Sequence, residues 1–92
     1  MPRYVVLIDQ SEGGAYGVVF PDLPGCTAMG ATVEEALASA AHAAADWASE
    51  VRKHGAVPAP RTAAEVIADP ETRQATDAGA IVALTPLILE EG

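Results

Sequence analysis

The first third of the chain alternates short apolar runs with turn residues, a pattern that predicts three strands. Residues 3–9 are rich in β-branched side chains and apolar on both faces, which is typical of a central strand. Residues 10–14 are turn material with paired glycines, and residues 15–20 return as a second strand. Pro21 ends that strand because proline cannot donate to a ladder, and residues 26–31 can form a third, shorter strand.

The middle third carries a helical period that begins at a capping box. In Thr32-Val33-Glu34-Glu35 the Thr32 hydroxyl can accept from the N–H of Glu35, whose carboxylate can reach back to the N–H of Thr32. The helix is predicted to run to about His54, with Gly55 as its left-handed stop. One apolar stripe, at spacings of four and three, is predicted to pack on the sheet: Val33, Leu37, Ala40, Ala44, Trp47 and Val51.

The remaining faces of this helix are rich in alanine, and two interpretations stay open. Alanine has the highest helix propensity, so it can serve as helix support alone. It can also leave a smooth surface on which another chain lies closely. The residues concerned are Ala38, Ala41, Ala43, Ala45 and Ala48.

The last third begins with a stiff connector and includes a fourth strand. Residues 57–60 contain two prolines, and Thr62-Ala63-Ala64-Glu65 is a second capping box that opens a short helix ending before the next proline. Residues 69–79 are polar and are interpreted as a loop. Residues 80–85 predict the fourth strand, and Leu87-Ile88-Leu89 is a further apolar patch before the acidic end.

Together these elements predict one α+β domain of order β-β-β-α-(short α)-β. The sheet is expected to be four-stranded and mainly antiparallel, because hairpin-like links join the first three strands. The fourth strand follows a long helical crossover, so we expect it to lie parallel to the first strand, with the right-handed crossover that is the rule. One long helix is expected to cover one sheet face, which leaves the other face for a partner.

The acidic balance of the chain bears on its partners. Thirteen acids oppose five bases, which gives a formal net charge of −8. Such a field repels phosphate backbones, so it argues against nucleic-acid binding by this chain alone and fits a basic partner. The alternative is that the charge only keeps a small protein soluble.

Cysteine usage and hydropathy indicate where in the cell the protein is located. Cys26 is the only cysteine, so an internal disulfide is excluded and a single thiol makes no zinc site. The start of the chain has no signal-peptide shape, and no apolar run approaches the ~18 residues of a membrane span. A cytoplasmic location without membrane association is therefore expected.

Two motifs at the corner before the long helix resemble those of the antitoxin family called HicB. They are Asp22-Leu23-Pro24-Gly25-Cys26 and Gly30-x-Thr32-x-Glu34-Glu35-Ala36, and Val57-Pro58-x-Pro60-Arg61-Thr62 is similar to the family's proline-rich connector. The resemblance implies a partial ribonuclease-H-like fold. It also implies an antitoxin function: binding and neutralising HicA, a small basic toxin that cleaves mRNA.

Many HicB proteins also carry a C-terminal ribbon-helix-helix or helix-turn-helix segment that binds DNA. This sequence stops at Glu90-Glu91-Gly92 without such a segment. We therefore expect a single toxin-binding domain over residues 1–89, an acidic end over residues 90–92, and no DNA binding by the chain as given.

The ribonuclease-H-like resemblance raises an alternative, a metal-dependent nuclease. Two-metal nucleases need carboxylates that converge on ions ~4 Å apart. The candidates are Asp9, Glu35, Asp46 and Glu50. Capping by Glu35 and surface pairing of the other helix acids with His42 and His54 are simpler interpretations. We therefore expect no enzyme, no catalytic residue, no metal and no cofactor. A small oligomeric ligand-binding domain is a further alternative, which a large pocket would favour.

Five residues are predicted to contact the toxin partner. Asp22 and Leu23 lie at the corner, and Glu34, Asp46 and Glu50 lie on the long helix. Each has a structural alternative: Asp22 can cap a turn, Leu23 can fill the core, and helix acids are usually solvated. A homodimer or a higher homo-oligomer is also expected, because the first and fourth strands are apolar on both faces.

Overall fold

The computed structural model describes residues 3–86, and in that range the chain forms one sheet and three helices. The elements are β1 (Arg3–Gln10), β2 (Tyr16–Val19), β3 (Thr27–Gly30), α1 (Val33–Arg52), α2 (Ala63–Ala68), α3 (Pro70–Asp77) and β4 (Ile81–Pro86). The strands follow the order β3-β2-β1-β4 across the sheet. The predicted α+β fold, with a four-stranded, mainly antiparallel sheet and one long helix, is confirmed. The apolar patch Leu87-Ile88-Leu89 lies outside the described residues.

The direction of β4 differs from the sequence-based prediction. β4 pairs antiparallel with β1, in a register that places Ile81 opposite Ile8 and Pro86 opposite Arg3. The reason is an additional helical segment between α1 and β4. After α1 the chain crosses back along the sheet through α2 and α3. Residues 70–77 form a helix rather than the predicted loop. The chain therefore enters β4 beside the end of β1 and not beside its start.

The main core lies between α1 and one face of the sheet, called here the first face. Tyr4, Val6 and Ile8 of β1 point to this side, together with Val18 and Phe20. The helix contributes an alanine row at a spacing of four, and each of its members is at most 1% exposed: Ala36, Ala40, Ala44 and Ala48.

The buried stripe of α1 is therefore rotated from its predicted position. Ala48 is buried although it was assigned to the outer faces, and Leu37 and Trp47 only flank the core, half-buried. Close approach explains the rotation, since alanine lets the helix lie near the strands. At Gly30 an added Cβ would lie 2.3 Å from the backbone nitrogen of Ala36, so the two backbones touch there.

The ends of the helices follow capping chemistry with two local differences. Thr32 accepts from the N–H of Glu35 at 3.1 Å, but the Glu35 carboxylate accepts from Ala31 instead of Thr32. The predicted stop at Gly55 is wrong: α1 ends at Arg52, and Gly55 is not among the left-handed glycines. In the second capping box, Thr62 and Glu65 form both reciprocal bonds, at 3.1 and 3.0 Å, as predicted.

The opposite sheet face, called here the second face, is partly covered by the α2–α3 segment. Asp69 caps α3 by accepting from the N–H of Glu71 at 3.0 Å, and Pro70 occupies the first turn. Leu7 and Val19 of the second face line one groove together with residues of α3. The prediction of a single helical layer on one face is therefore wrong.

None of the helices in the described range has the length and apolar character needed to cross a bilayer.

Candidate partner-binding surfaces

Backbone hydrogen bonds within the corner after β2 stabilise its shape. The N–H of Leu23 donates to Phe20 at 3.1 Å, and the N–H of Cys26 donates to Leu23 at 2.9 Å. Gly25 takes the left-handed conformation, with φ of 85°, that lets the chain reverse. Leu23 is 0% exposed and belongs to the core. The predicted partner contact at Leu23 is thus not available at the surface, because its side chain fills the core.

The carboxylate of Asp22 also points inward. It accepts from the backbone N–H of Arg61 at 2.8 Å and from Nε of the same residue at 2.6 Å, and its side chain is only 6% exposed. The surface position predicted for Asp22 is therefore wrong. Its role in this structure is to hold the connector against the corner.

Arg61 links that corner to the start of α3. Its guanidinium also donates to the Asp69 carboxylate at 3.2 Å. Hydrogen bonds to Asp22 and then to Asp69 raise the pKa of Arg61. The pKa of Asp69 is lowered, first by the backbone hydrogen bond from Glu71 and then by Arg61. The three charged side chains form one network that fixes where α3 begins.

Two aromatic side chains add further ties around the same corner. The Tyr4 hydroxyl donates to the carbonyl of Pro58, and the Trp47 indole N–H donates to the carbonyl of Pro24 at 3.0 Å. Burial and, secondarily, the charge of Asp22 raise the pKa of Tyr4. These bonds anchor the connector and the corner to the core.

Cys26 packs inside the same corner. It is 3% exposed, and burial raises the pKa of its thiol. A thiol in this setting is held in its protonated form and behaves as a small apolar side chain.

The exposed surface of α1 carries the three predicted acidic residues. Asp46 and Glu50 are four residues apart and are neighbours on the helix surface, whereas Glu34 lies in the first turn, about 120° around the helix axis from Asp46. All three are exposed. Glu50 pairs with Lys53 at 3.3 Å and with His54 at 3.8 Å. We call these three residues the α1 acidic row. Their contact with a partner stays a prediction.

The carboxylates proposed for a nuclease site lie apart. Asp9 pairs with Gly17 on the second face, whereas Asp46 and Glu50 lie on the outer side of α1, beyond the first face. Glu35 is engaged in its cap. Among residues 3–86, no group of three His, Cys, Asp or Glu side chains is arranged to hold a metal ion.

A groove lies between the second face and α3, with a cavity volume of about 260 Å³. Half of its ten lining residues are apolar. Three carboxylates and one guanidinium also line it, which leaves a net charge of −2. The full lining is Leu7, Asp9, Val19, Pro21, Arg61, Asp69, Glu71, Thr72, Ala75 and Ala80. We call this feature the α3 groove.

The position of Asp9 in the α3 groove depends on its neighbour across the strands. A Cβ added at Gly17 would lie 3.1 Å from Oδ1 of Asp9, so the carboxylate lies over the glycine. Neither Asp9 nor Glu71 forms an ion pair within the part of the chain that the structure describes, whereas Asp69 is paired with Arg61. The groove is thus lined by one carboxylate that is paired with Arg61 and by two that have no ion partner among the described residues.

Sequence reasoning missed this groove because residues 69–79 were interpreted as a loop. The signal was present: Asp69-Pro70 combines a preferred N-cap residue with a preferred first helical residue. The pairing of Arg61 with Asp22, 39 positions earlier, leaves no local pattern in the sequence.

The chain is similar to known proteins over most of its length. Residues 4–91 match the model of the family described as HicB_like antitoxin of bacterial toxin-antitoxin system. A stretch of 52 residues is 38% identical to the UPF0150 protein Ta0767 of Thermoplasma acidophilum, and covers 56% of this chain and 75% of that protein.

Solved structures match the same fold. The N-terminal domain of the Burkholderia pseudomallei antitoxin HicB superposes with a TM-score of 0.76 at 27% identity, over 95% of this chain and 99% of that domain. Against the whole HicB antitoxin of that organism the TM-score is also 0.76, and the match covers 64% of the longer chain. A chain from the HicA3 and HicB3 toxin-antitoxin complex gives a TM-score of 0.74 at 24% identity, over 94% of this chain and 98% of that chain.

Proposed function

Because this chain belongs to the HicB-like antitoxins of bacterial toxin-antitoxin systems, we propose that it binds and neutralises a basic HicA-type toxin by masking the toxin's RNA-binding surface. A solved complex that shares its fold contains a HicA and a HicB protein, which supports this class of partner. Neutralisation is steric and electrostatic, and the chain itself performs no catalysis.

The α1 acidic row is the observation that carries the proposal. It presents carboxylates on the exposed surface of α1, in a chain of net charge −8. A face of one sign steers a partner of the opposite sign and raises the association rate. A toxin surface that binds RNA is basic, so an acidic protein face can occupy it in place of RNA.

The kinetics of binding to a HicA-type toxin test where the contact lies. Charge reversal of Glu34 and Asp46 together to Lys should slow association about tenfold at low salt, because like charges then face each other. The matched control reverses Glu12 and Asp77, two exposed acids away from α1. Equal slowing in both variants would contradict the contact on α1, since only the total field would then matter.

Inhibition of mRNA cleavage tests the function itself. The wild-type chain should abolish RNA cleavage by the toxin at equimolar concentration, and raising the salt should weaken the association, since screening acts over ~10 Å at 0.1 M. Unchanged cleavage with no binding at any salt would refute the antitoxin proposal. Metal-dependent cleavage by the chain alone, lost in Asp9→Asn, would favour the nuclease alternative.

We also propose that the chain forms a homodimer through the side of the sheet that ends in β4. This strand lies at the edge of the sheet, and Ile81 and Leu84 are 55% and 50% exposed on it. An exposed apolar edge strand is prone to pair with another strand. Light scattering at tens of micromolar should give the dimer mass, and Leu84→Glu should give the monomer. A monomeric wild-type chain would contradict the proposal.

A further inference from the structure

We propose that the α3 groove binds an arginine side chain of the basic partner protein, between the carboxylates of Asp9 and Glu71. This inference rests on the proposed antitoxin function and adds to it a specific anchor on the second face. The α1 acidic row would guide the partner toward the chain, and the α3 groove would hold it.

The composition of the groove fits a long cationic side chain. Its lining includes the apolar residues Leu7, Val19 and Ala75 together with three carboxylates. Arginine buries its aliphatic stem against apolar surface while its charged head stays with polar groups. The second face also carries exposed apolar residues, since Val19 is 44% and Met29 is 63% exposed. A partner chain that inserts one side chain therefore also finds apolar surface around it.

The charges of the groove favour a guanidinium. In the lining of the groove, the Arg61 guanidinium already lies among carboxylates, with bonds of 2.6 Å to Asp22 and 3.2 Å to Asp69. Asp9 and Glu71, which also line the groove, offer acceptors of the same type, and no described residue forms an ion pair with them. The planar fork of arginine can bond two carboxylates at once, whereas lysine offers a single point charge.

The geometry disfavours other occupants. The described carboxylates are not grouped to hold a metal ion. The net charge of −2 repels phosphates and other anions. The cavity of about 260 Å³ is also below the roughly 300–1,000 Å³ of typical small-molecule sites. A single side chain from a protein partner is the occupant that matches both the volume and the charge.

A direct test needs no toxin. N-acetyl-arginine amide is titrated into the ¹⁵N-labelled chain, with the uncharged N-acetyl-citrulline amide as a control of nearly the same shape. Backbone shifts should be confined to the groove, around Asp9, Gly17 and Glu71, and should be absent with citrulline. Equal shifts with both compounds, or shifts along α1 instead of the groove, would overturn the proposal.

The second test uses the HicA-type toxin and separates this inference from the proposed function. The double variant Asp9→Asn and Glu71→Gln should dissociate about tenfold faster with little change in association, because losing a close charge pair acts mainly on the dissociation rate. The matched control is Glu12→Gln with Asp77→Asn, which removes the same charge outside the groove. Wild-type dissociation in the double variant would overturn the groove while the antitoxin function stands. Absence of toxin binding by the wild-type chain would overturn both.

Discussion

The two faces of the sheet are covered in different ways. On the first face, the alanine row of α1 packs against apolar strand residues, and the core there contains no charged side chain. On the second face, two short helices joined at Asp69 cover part of the sheet and leave a groove lined by Arg61 and three acids. A long helix with small residues packs closely on its face, whereas two short helices anchored by ion pairs leave charged side chains accessible. Stability is therefore expected to depend mainly on the first face, and binding on the second face and on the outer side of α1.

The largest expected effect on stability is at the corner after β2, whose residue Leu23 belongs to the core of the first face. Leu23→Ala should lower the free energy of unfolding by about 3 kcal/mol, since Leu23 is 0% exposed and its loss leaves a cavity. Urea unfolding followed by circular dichroism measures the change. A loss below about 1 kcal/mol would mean that the corner collapses around the smaller side chain, and would remove Leu23 from the core that defines this face.

A neighbouring pair of valines compares the two faces directly. Val18 is 0% exposed on the first face, whereas Val19 is 44% exposed on the second face. Val18→Ala should cost about 2 kcal/mol, because it removes fully buried apolar area, and Val19→Ala about 0.5 kcal/mol. The same urea experiment on both variants gives the difference. Equal losses would show that the second face is packed as tightly as the first, which would break the comparison.

Most of the first face could be predicted from the sequence, and most of the second face could not. Local signals place the strands, the start of α1 at Thr32 and the second capping box at Thr62. The predicted stripe of α1 was displaced toward Trp47, because large apolar residues outweigh alanine in a periodicity argument. The close approach at Gly30 shows why alanine is at the centre.

The second face depends on long-range pairing. The bond between Asp22 and Arg61 joins residues 39 positions apart and has no local signature in the sequence. A chain that returns through a helical crossover usually forms a parallel strand. Here α3 adds a second crossing, and that crossing reverses the strand. The candidate groove exists only once α3 is in place, so the interpretation of residues 69–79 as a loop also hid the groove.

The network that positions α3 can be weakened at one atom. Asp22→Asn removes the charge and leaves one acceptor oxygen for two donors of Arg61, so stability should fall by about 2 kcal/mol. The control Asp46→Asn, on the exposed face of α1, should change stability by less than about 0.5 kcal/mol. Comparable losses in the two variants would show that the buried carboxylate contributes no more than an exposed one.

The smallest expected effect is the loss of stability at acidic pH that comes from Asp69. It tests how much the ion pairs on the second face stabilise the fold. The folded-state pKa of Asp69 lies below its ordinary value of 3.8, so its ionised form stabilises the folded chain. That contribution is present above the unfolded pKa and is lost as the pH falls through the folded pKa. Asp69→Asn keeps an N-cap side chain but loses the charge that pairs with Arg61.

The variant should therefore be less stable than the wild type at pH 7, and the difference should disappear as the pH falls well below 3.8. Urea titrations at several pH values measure both chains, and Asp77→Asn serves as the matched control because Asp77 forms no ion pair with another described residue. A difference that persists unchanged at the lowest pH would place the effect in the helix cap instead of the charge. In that case the charges of the second face would line the groove without fixing α3, and the contrast between the two faces would rest on apolar packing alone.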